Sequence, residues 1–142
     1  LRRRRSPGLK RSMVVDTSAL LAVLFQEAEA DSLAAVMVDA PRLLMSACSR
    51  LEATLVAEGK RFGASAESVS ALLIALEIQV VPFGNDHLVW ALRGWREYCR
   101  GRHPAGLNLG DCFSYALARA TGEPLLFIGN DFSLTDVAIA RH

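Results

Sequence analysis

The sequence predicts one α/β domain in three layers, with a short, mostly parallel sheet of four to five strands flanked by helices. Its 142 residues fit a single domain, and the 51% that are hydrophobic suffice for a sizeable core. Apolar runs of about four to six residues alternate with longer segments of helical periodicity. Such alternation requires crossover connections, which place parallel strands side by side and cover both faces of the sheet.

Five elements are predicted in the first half of the chain: a strand at 13–16, helices at 18–26 and 29–39, a strand at 43–46 and a helix at 47–61. Thr17 or Ser18 can cap the first helix, because a side-chain hydroxyl accepts from the free N–H groups of the first turn. Pro41 ends the second helix, since the residue before a proline avoids helical backbone. Gly63 stops the third helix.

Six more elements follow: a helix at 65–77, a strand at 78–83, helices at 86–100 and 109–120, a strand at 125–128 and a short fifth strand at 137–140. Ser65 or Ser68 begins the first of these helices, and Pro82 lies in the last turn of the strand. A loop at 101–108 precedes the helix at 109–120. That helix has the most regular pattern, with apolar residues at i, i+3, i+4 and i+7: Phe113, Ala116, Leu117 and Ala120.

The net charge of +1 conceals a basic N-terminal arm. Residues 1–12 hold six of the sixteen Lys and Arg residues and none of the fifteen Asp and Glu residues, which leaves 13–142 with a net charge of −5. The arm could bind nucleic acid by releasing counterions. The simpler interpretation is a disordered N-terminal extension, with the single domain at 13–142. Because that domain is acidic, local basic patches or a metal would have to attract a nucleic acid.

The sequence favours a cytoplasmic protein. Three cysteines, Cys48, Cys99 and Cys112, form neither a disulfide framework nor a zinc pair, and thiols are typical of a reducing compartment. No signal-peptide pattern follows the basic arm. No apolar run approaches the roughly 18 residues of a membrane span.

Four acidic residues lie where a strand ends or where a helix begins. Asp16 closes the first apolar run, Glu52 lies in the third helix, Asp111 opens the most regular helix, and Asp131 follows the run at 125–128. In a parallel sheet the binding crevice lies beyond the carboxyl ends of the strands. Carboxylates gathered there repel one another unless a cation is present, and a ligand set of oxygen atoms suits Mg²⁺ or Mn²⁺. This pattern favours metal-assisted chemistry on a phosphate ester.

Each carboxylate also has a structural alternative. Asp16 could cap the first helix, and Asp131 could be a turn residue after Gly129-Asn130. Asp111 could form a capping box with Asn108, a role compatible with a place in the crevice.

Glu52 shares a predicted helix face with Cys48, Leu51, Leu55 and Val56, where a charge needs a partner or a metal. Its position six residues past Ser46, or roughly 9 Å of helix, lets the side chain point back toward the crevice. Two structural alternatives exist for Glu52. It could form an ion pair with an arginine, or the helix could be rotated enough to expose its side chain to solvent.

Four segments together resemble the PIN-domain ribonucleases, and most closely the VapC-type toxins of toxin–antitoxin pairs. They are Met-Val-Val-Asp-Thr-Ser-Ala-Leu at 13–20, Ser-Ala-Cys-Ser-Arg-Leu-Glu at 46–52, Leu-Asn-Leu-Gly-Asp-Cys-Phe-Ser-Tyr-Ala-Leu-Ala at 107–118 and Pro-Leu-Leu-Phe-Ile-Gly-Asn-Asp-Phe at 124–132. The resemblance covers roughly residues 13–140 and implies a PIN-like fold.

The resemblance implies a Mg²⁺-dependent endoribonuclease, with Mn²⁺ as a substitute. Its catalytic carboxylates carry over as Asp16, Glu52, Asp111 and Asp131, and Mg²⁺ is tied most directly to Asp16 and Asp111. Ser18 would support the site. Asn130 is the one departure, because many relatives carry an acid at that position. Asp131 would serve there instead, or three carboxylates would suffice.

The expected reaction is hydrolysis of an RNA phosphodiester bond by a metal-activated water, which would inhibit growth or translation. The resemblance also implies a VapB-type antitoxin partner and a homodimer. Candidates for contact with the RNA backbone are Arg93, Arg96, Arg100 and Arg102, which could equally form a solvated face with Glu97 as a partner.

The same residues also bear on alternative functions. A phosphorelay receiver would need paired acids after the first strand, and a dehalogenase-type phosphatase would need an aspartate where Ser18 stands. A catalytically inactive PIN-like interaction module remains open, as does a PIN nuclease in RNA processing. Four retained acids favour an enzyme, since a dead site gains nothing from their mutual repulsion.

Overall fold

The computed structural model describes residues 11–59 and 63–142. In these ranges the elements are β1 (Met13–Val15), α1 (Thr17–Leu24), α2 (Ala30–Asp39), β2 (Leu43–Ser46), α3 (Ala47–Ala57), α4 (Ala66–Ala75), β3 (Ile78–Val81), α5 (Asn85–Tyr98), α6 (Leu109–Thr121) and β4 (Leu125–Leu126).

The four strands form one parallel sheet in the order β3-β2-β1-β4. Parallel pairing confirms the predicted α/β class and brings the carboxyl ends of all four strands to one edge. The predicted fifth strand at 137–140 is reduced, within the described residues, to an isolated bridge between Leu125 and Ile139. In the described residues the sheet therefore has four strands, the lower of the two predicted numbers.

Helices cover both faces of the sheet. Neighbouring residues of a strand point to opposite faces, so Val14 and Val15 of the inner strand β1 pack against different helices. Val15 belongs to a core cluster with residues of α1, α2, α3 and α4, including Leu20, Leu33 and Leu73. Val14 belongs to a second cluster with residues of α5 and α6. The sheet is thus the middle of three layers, as the sequence predicts.

Close packing fixes α6 against α5. A Cβ atom added at Gly94 of α5 would lie 2.5 Å from Cδ1 of Tyr115, a fully buried residue of α6. The missing side chain therefore lets the Tyr115 ring lie directly on the backbone of α5. This contact fixes the position of α6, which carries Asp111.

The predicted face of α3 is wrong. Its buried residues are Ser49, Ala53 and Ala57, whereas Leu51 and Leu55 are 60% and 61% exposed. Small side chains spaced four apart let the helix approach its neighbours closely, and the leucines point outward. The helix ends at Ala57, earlier than the predicted residue 61. Residues 60 and 61 lie outside the described ranges.

The predicted disordered arm lies mostly outside the described residues, which begin at Arg11. The Arg11 guanidinium donates to the carbonyl oxygen of Gly122 at 3.0 Å and lies 3.9 Å from Glu123. All three cysteines are free thiols. Within 11–59 and 63–142, none of the helices has the length and apolar character needed to cross a bilayer.

Candidate active site

Asp16 directly follows β1 and lies at the carboxyl edge of the sheet. Its side chain caps α1 by accepting from the backbone N–H of Ser18 at 3.1 Å, so Asp16 rather than Thr17 or Ser18 is the N-cap. The Ser18 hydroxyl donates to the same oxygen, Oδ2, at 2.6 Å and accepts from the backbone N–H of Ile128 at 3.0 Å. Ser18 therefore ties Asp16 to the chain just beyond β4.

The other oxygen of Asp16 is held from α6. The Ser114 hydroxyl donates to Asp16 Oδ1 at 2.5 Å, and both residues are buried. Since donors reach both oxygens, the orientation of the Asp16 carboxylate is fixed from two sides. Capping and crevice roles for Asp16 are thus compatible in one geometry.

Asp111 enters the same region from the first turn of α6. Asn108 and Asp111 form the predicted capping box, in which the backbone N–H of Asp111 donates to Asn108 Oδ1 at 2.9 Å and that of Asn108 donates to Asp111 Oδ2 at 3.1 Å. Asp111 is 9% exposed. Capping accounts for one of its oxygens and leaves Oδ1 for other contacts.

Burial and neighbouring carboxylates raise the pKa of Asp111 from 3.8 to about 7. Desolvation is the largest cause, and the negative charges of Asp16 and Asp131 add to it, while the hydrogen bond from Asn108 opposes the rise. Asp16, Asp111 and Asp131 therefore lie close enough to interact electrically. Asp131, in the loop after β4, is thus close enough for its charge to raise the pKa of Asp111.

Glu52 reaches the start of α6 from α3. A Cβ atom added at Gly110 would overlap Oε2 of Glu52 and lie 2.7 Å from its Cδ. The Glu52 carboxylate thus rests on the backbone next to Asp111, in space that only glycine leaves open. The sequence predicts that Glu52 lies near the crevice on a buried apolar stripe. The stripe is exposed, but the helix still directs Glu52 to the site.

Within the part of the chain that the structure describes, no group of three or more His, Cys, Asp or Glu side chains is already arranged to hold a metal ion. The donor chemistry nevertheless fits a hard divalent cation, because the groups are carboxylates and one of them resists ionisation without a counter-charge. Mg²⁺ commonly binds through one or two carboxylates and keeps several waters, so the pair Asp16 and Asp111 would meet its needs.

Comparison with known proteins identifies the family of this chain. The PIN domain family model matches residues 13–138. A Ribonuclease VapC of Mycolicibacterium smegmatis is 44% identical over 126 residues, covering 89% of this chain and 98% of that protein. Ribonuclease VapC30 of Mycobacterium tuberculosis is 45% identical over 127 residues, covering 89% and 96%. The chain belongs to the VapC family of PIN domains.

Solved structures share the fold of this PIN domain at lower identity. Mycobacterium tuberculosis VapC20, described as a sarcin-ricin loop cleaving toxin, superimposes with a TM-score of 0.73 at 18% identity and covers 92% of this chain and 99% of its own. A toxin–antitoxin complex from Klebsiella pneumoniae gives a TM-score of 0.65 at 18% identity, covering 90% and 96%. The expected PIN-like fold and VapC resemblance are confirmed.

The predicted arginine stripe of the PIN domain is partly committed to internal contacts. Arg93 Nε donates to Glu97 Oε1 at 3.1 Å, and its guanidinium lies 5.2 Å from the centre of the Trp90 ring. Arg102 donates to the carbonyl oxygen of Arg96 at 2.9 Å. The side chains of Arg96 and Arg100 are exposed. Contact of this stripe with RNA stays a prediction.

The sequence does not predict the parts played by Gly110, by Ser114 or by Ser49, whose hydroxyl lies 3.2 Å from that of Ser114. Ser114 could have been found, because it lies three residues after Asp111 and so on the same face of α6. Gly110 could have been singled out as the small residue beside a predicted site acid. Ser49 gave no usable indication, since the wrong face of α3 was expected to be buried.

Proposed function

We propose that this PIN domain is a Mg²⁺-dependent endoribonuclease and the toxin of a VapBC-type toxin–antitoxin pair. The observation that carries the proposal is the convergence of Asp16, Asp111 and Asp131 at one edge of the sheet. Glu52 lies against the backbone beside Asp111 and supplies a fourth carboxylate. The relatives named ribonuclease VapC support RNA as the substrate.

The proposed metal ligands are Asp16 and Asp111, with Glu52 and Asp131 as further candidates and Mn²⁺ as a substitute ion. When bound, Mg²⁺ makes a water molecule more acidic and offsets negative charge on the phosphate. Asp111 must release any proton it holds before it can serve as a ligand. Asp16 is already oriented by Ser18 and Ser114, so it offers its remaining lone pairs without rearrangement.

Glu52 and Asp131 are the candidates for a proton acceptor. Either carboxylate could accept a hydrogen bond from the attacking water and then take its proton. Glu52 is half-buried and Asp131 is exposed, so both can meet solvent and a bound RNA. Within this proposal Ser18 supports Asp16, and Asn130 directly precedes Asp131 in the loop after β4.

Cleavage of a 5′-labelled RNA by purified protein tests the proposal. We expect no products in EDTA, products after Mg²⁺ or Mn²⁺ is added back, and internal cut sites rather than stepwise shortening from an end. Cleavage that persists in EDTA after extensive dialysis would exclude a metal-dependent mechanism. Failure of both ions to support cleavage of total cellular RNA would favour the interaction module.

The antitoxin partner is proposed from the relatives. Solved neighbours include a toxin–antitoxin complex from Klebsiella pneumoniae and a VapBC complex bound to promoter DNA from Rickettsia felis. Induction of this chain alone is expected to arrest growth, and co-expression of a VapB-type antitoxin is expected to relieve the arrest. Equal growth with and without induction, at matched protein levels, would contradict the toxin assignment.

A homodimer is proposed from an apolar surface. Between α5 and α6 lies a cavity of about 480 Å³ with an almost wholly apolar lining that includes Leu88, Leu92, Trp95 and Leu109. These four residues are 40–67% exposed. Burial of this surface against a second copy removes apolar area from water.

Light scattering at micromolar concentration is expected to give twice the chain mass. Leu92→Glu, which places a charge in the apolar surface, is expected to give a folded monomer. If Leu92→Glu is still a dimer, the interface does not lie on this apolar surface. If the wild-type protein is a monomer, the proposed homodimer is contradicted.

A further inference from the structure

Three buried hydroxyl contacts connect α3, α6 and the junction of β1 with α1, next to the candidate metal ligand Asp16. The Ser49 and Ser114 hydroxyl oxygens are 3.2 Å apart, and the Ser114 oxygen lies 2.5 Å from Asp16 Oδ1. Thr17, the residue after Asp16, donates to the carbonyl oxygen of Ser49 at 3.1 Å. Ser49 and Ser114 are completely buried. Neither residue belongs to the acidic set or faces solvent where RNA could reach it.

The direction of this hydrogen-bond chain follows from proton counting. A serine hydroxyl has one proton to donate and two lone pairs to accept with, whereas an ionised carboxylate can only accept. The proton of Ser114 is therefore used for Asp16 Oδ1. It follows that Ser49 is the donor in the contact between the two serines. The order is Ser49 to Ser114 to Asp16, and each bond polarises the next.

The distance to Asp16 indicates a strong bond. An O–H donor to a carboxylate forms bonds of about 2.5–2.7 Å, which are stronger than bonds between neutral groups. Ser18 holds Oδ2 from the opposite side at 2.6 Å. Loss of Ser114 would leave Oδ1 buried without its donor and let the carboxylate turn about its Cβ–Cγ bond.

We propose that Ser114 and Ser49 are positioning residues, which fix the Asp16 carboxylate in the orientation that receives the metal before the metal arrives. The inference rests on the proposed metal-dependent cleavage. Its physical content is preorganisation: a ligand held in place by its own hydrogen bonds loses less freedom on binding. Replacement of a residue that holds a metal ligand typically lowers metal affinity about 10- to 100-fold.

The experiment compares Ser114→Ala, Ser114→Cys and Ser49→Ala with the wild-type protein. Thr54→Ala is the matched control, because the Thr54 hydroxyl also lies on α3 but donates only to its own helix, to the Arg50 carbonyl oxygen at 3.0 Å. Mn²⁺ affinity is measured by calorimetry, and RNA cleavage is measured as a function of Mg²⁺ concentration. Melting temperatures establish that each variant is folded.

For Ser114→Ala we expect about tenfold weaker Mn²⁺ binding, with cleavage largely recovered at high Mg²⁺. Ser114→Cys keeps the shape of the side chain with a somewhat larger atom but donates weakly, so its affinity should be reduced to a similar degree. Ser49→Ala should have a smaller effect in the same direction, and Thr54→Ala should have none. Wild-type affinity in folded Ser114→Ala or Ser114→Cys would overturn the inference. If both Ser114 variants unfold, Ser49→Ala decides, and an unchanged Mn²⁺ affinity in Ser49→Ala would overturn the inference.

The proposed function and this inference can fail separately. A wild-type protein that binds no divalent ion would refute the proposed function. In that case the metal-free crystal structure of Ser114→Ala decides the inference: a reoriented Asp16 carboxylate supports positioning by Ser114, and an unmoved one refutes it. If the wild-type protein binds metal and cleaves RNA while the serine variants match it, only the inference fails.

Discussion

Asp16→Asn is expected to lower RNA cleavage at least about 1000-fold, equivalent to about 4 kcal/mol of transition-state stabilisation. The substitution removes one negative charge from the proposed metal site and turns one of the two ligand oxygens into an amide nitrogen. The fold should survive, because the amide keeps one acceptor and its NH₂ group can donate to a serine hydroxyl that reverses. Initial cleavage rates at saturating Mg²⁺, with melting temperatures for both proteins, measure the effect.

Asp31→Asn is the matched control for this prediction. Asp31 is an exposed aspartate in the first turn of α2, so its replacement changes the net charge by the same amount without touching the site. Its cleavage rate should stay within about twofold of the wild type, since exposed charges act weakly through solvent. A folded Asp16→Asn protein that cleaves at the wild-type rate would refute the nuclease assignment, and the interaction module would then be the better interpretation.

The sequence was sufficient for the sheet and for the approximate meeting place of the acids. Short apolar runs separated by helical periods leave few alternatives to parallel pairing, and parallel pairing brings the ends of β1 and β4 to one edge. The capping box of α6 could be predicted from Asn108 and Asp111 because capping depends on local spacing. Both features follow from interactions close in sequence or from the alternation of elements.

Contacts between helices were harder to predict. The rotation of α3 depends on which of its faces packs most closely, and the small residues Ser49, Ala53 and Ala57 decide this over the larger leucines. Hydrophobic periodicity favours large residues in the core and so selected the opposite face. The Ser49–Ser114 contact and the fit of Glu52 against Gly110 depend on that rotation.

Asp111→Asn is expected to stabilise the metal-free protein above pH 7 by on the order of 2 kcal/mol, after an allowance for solvent screening. Burial, Asp16 and Asp131 raise the pKa of Asp111 from 3.8 to about 7, so the folded state binds its proton more tightly than the unfolded state does. The stability that the wild-type protein gains from this tighter proton binding is fully present below about pH 4, is lost as pH rises toward 7, and is absent above pH 7. The asparagine carries no charge at any of these pH values and still accepts from the Asn108 backbone N–H.

Melting curves of both proteins in EDTA from pH 4 to pH 8.5 test this sign. The difference between wild type and Asp111→Asn should grow in favour of the variant between about pH 4 and 7 and then level off, because only this site distinguishes the two proteins. Mg²⁺ should reverse the order of the two melting temperatures at pH 8. The cation binds the ionised aspartate and so stabilises the folded wild-type protein, whereas it binds the asparagine variant only weakly. A wild-type protein that becomes more stable relative to the variant as pH rises in EDTA would show that Asp111 has a positive partner in solution. The repulsion that a metal is proposed to relieve would then be absent.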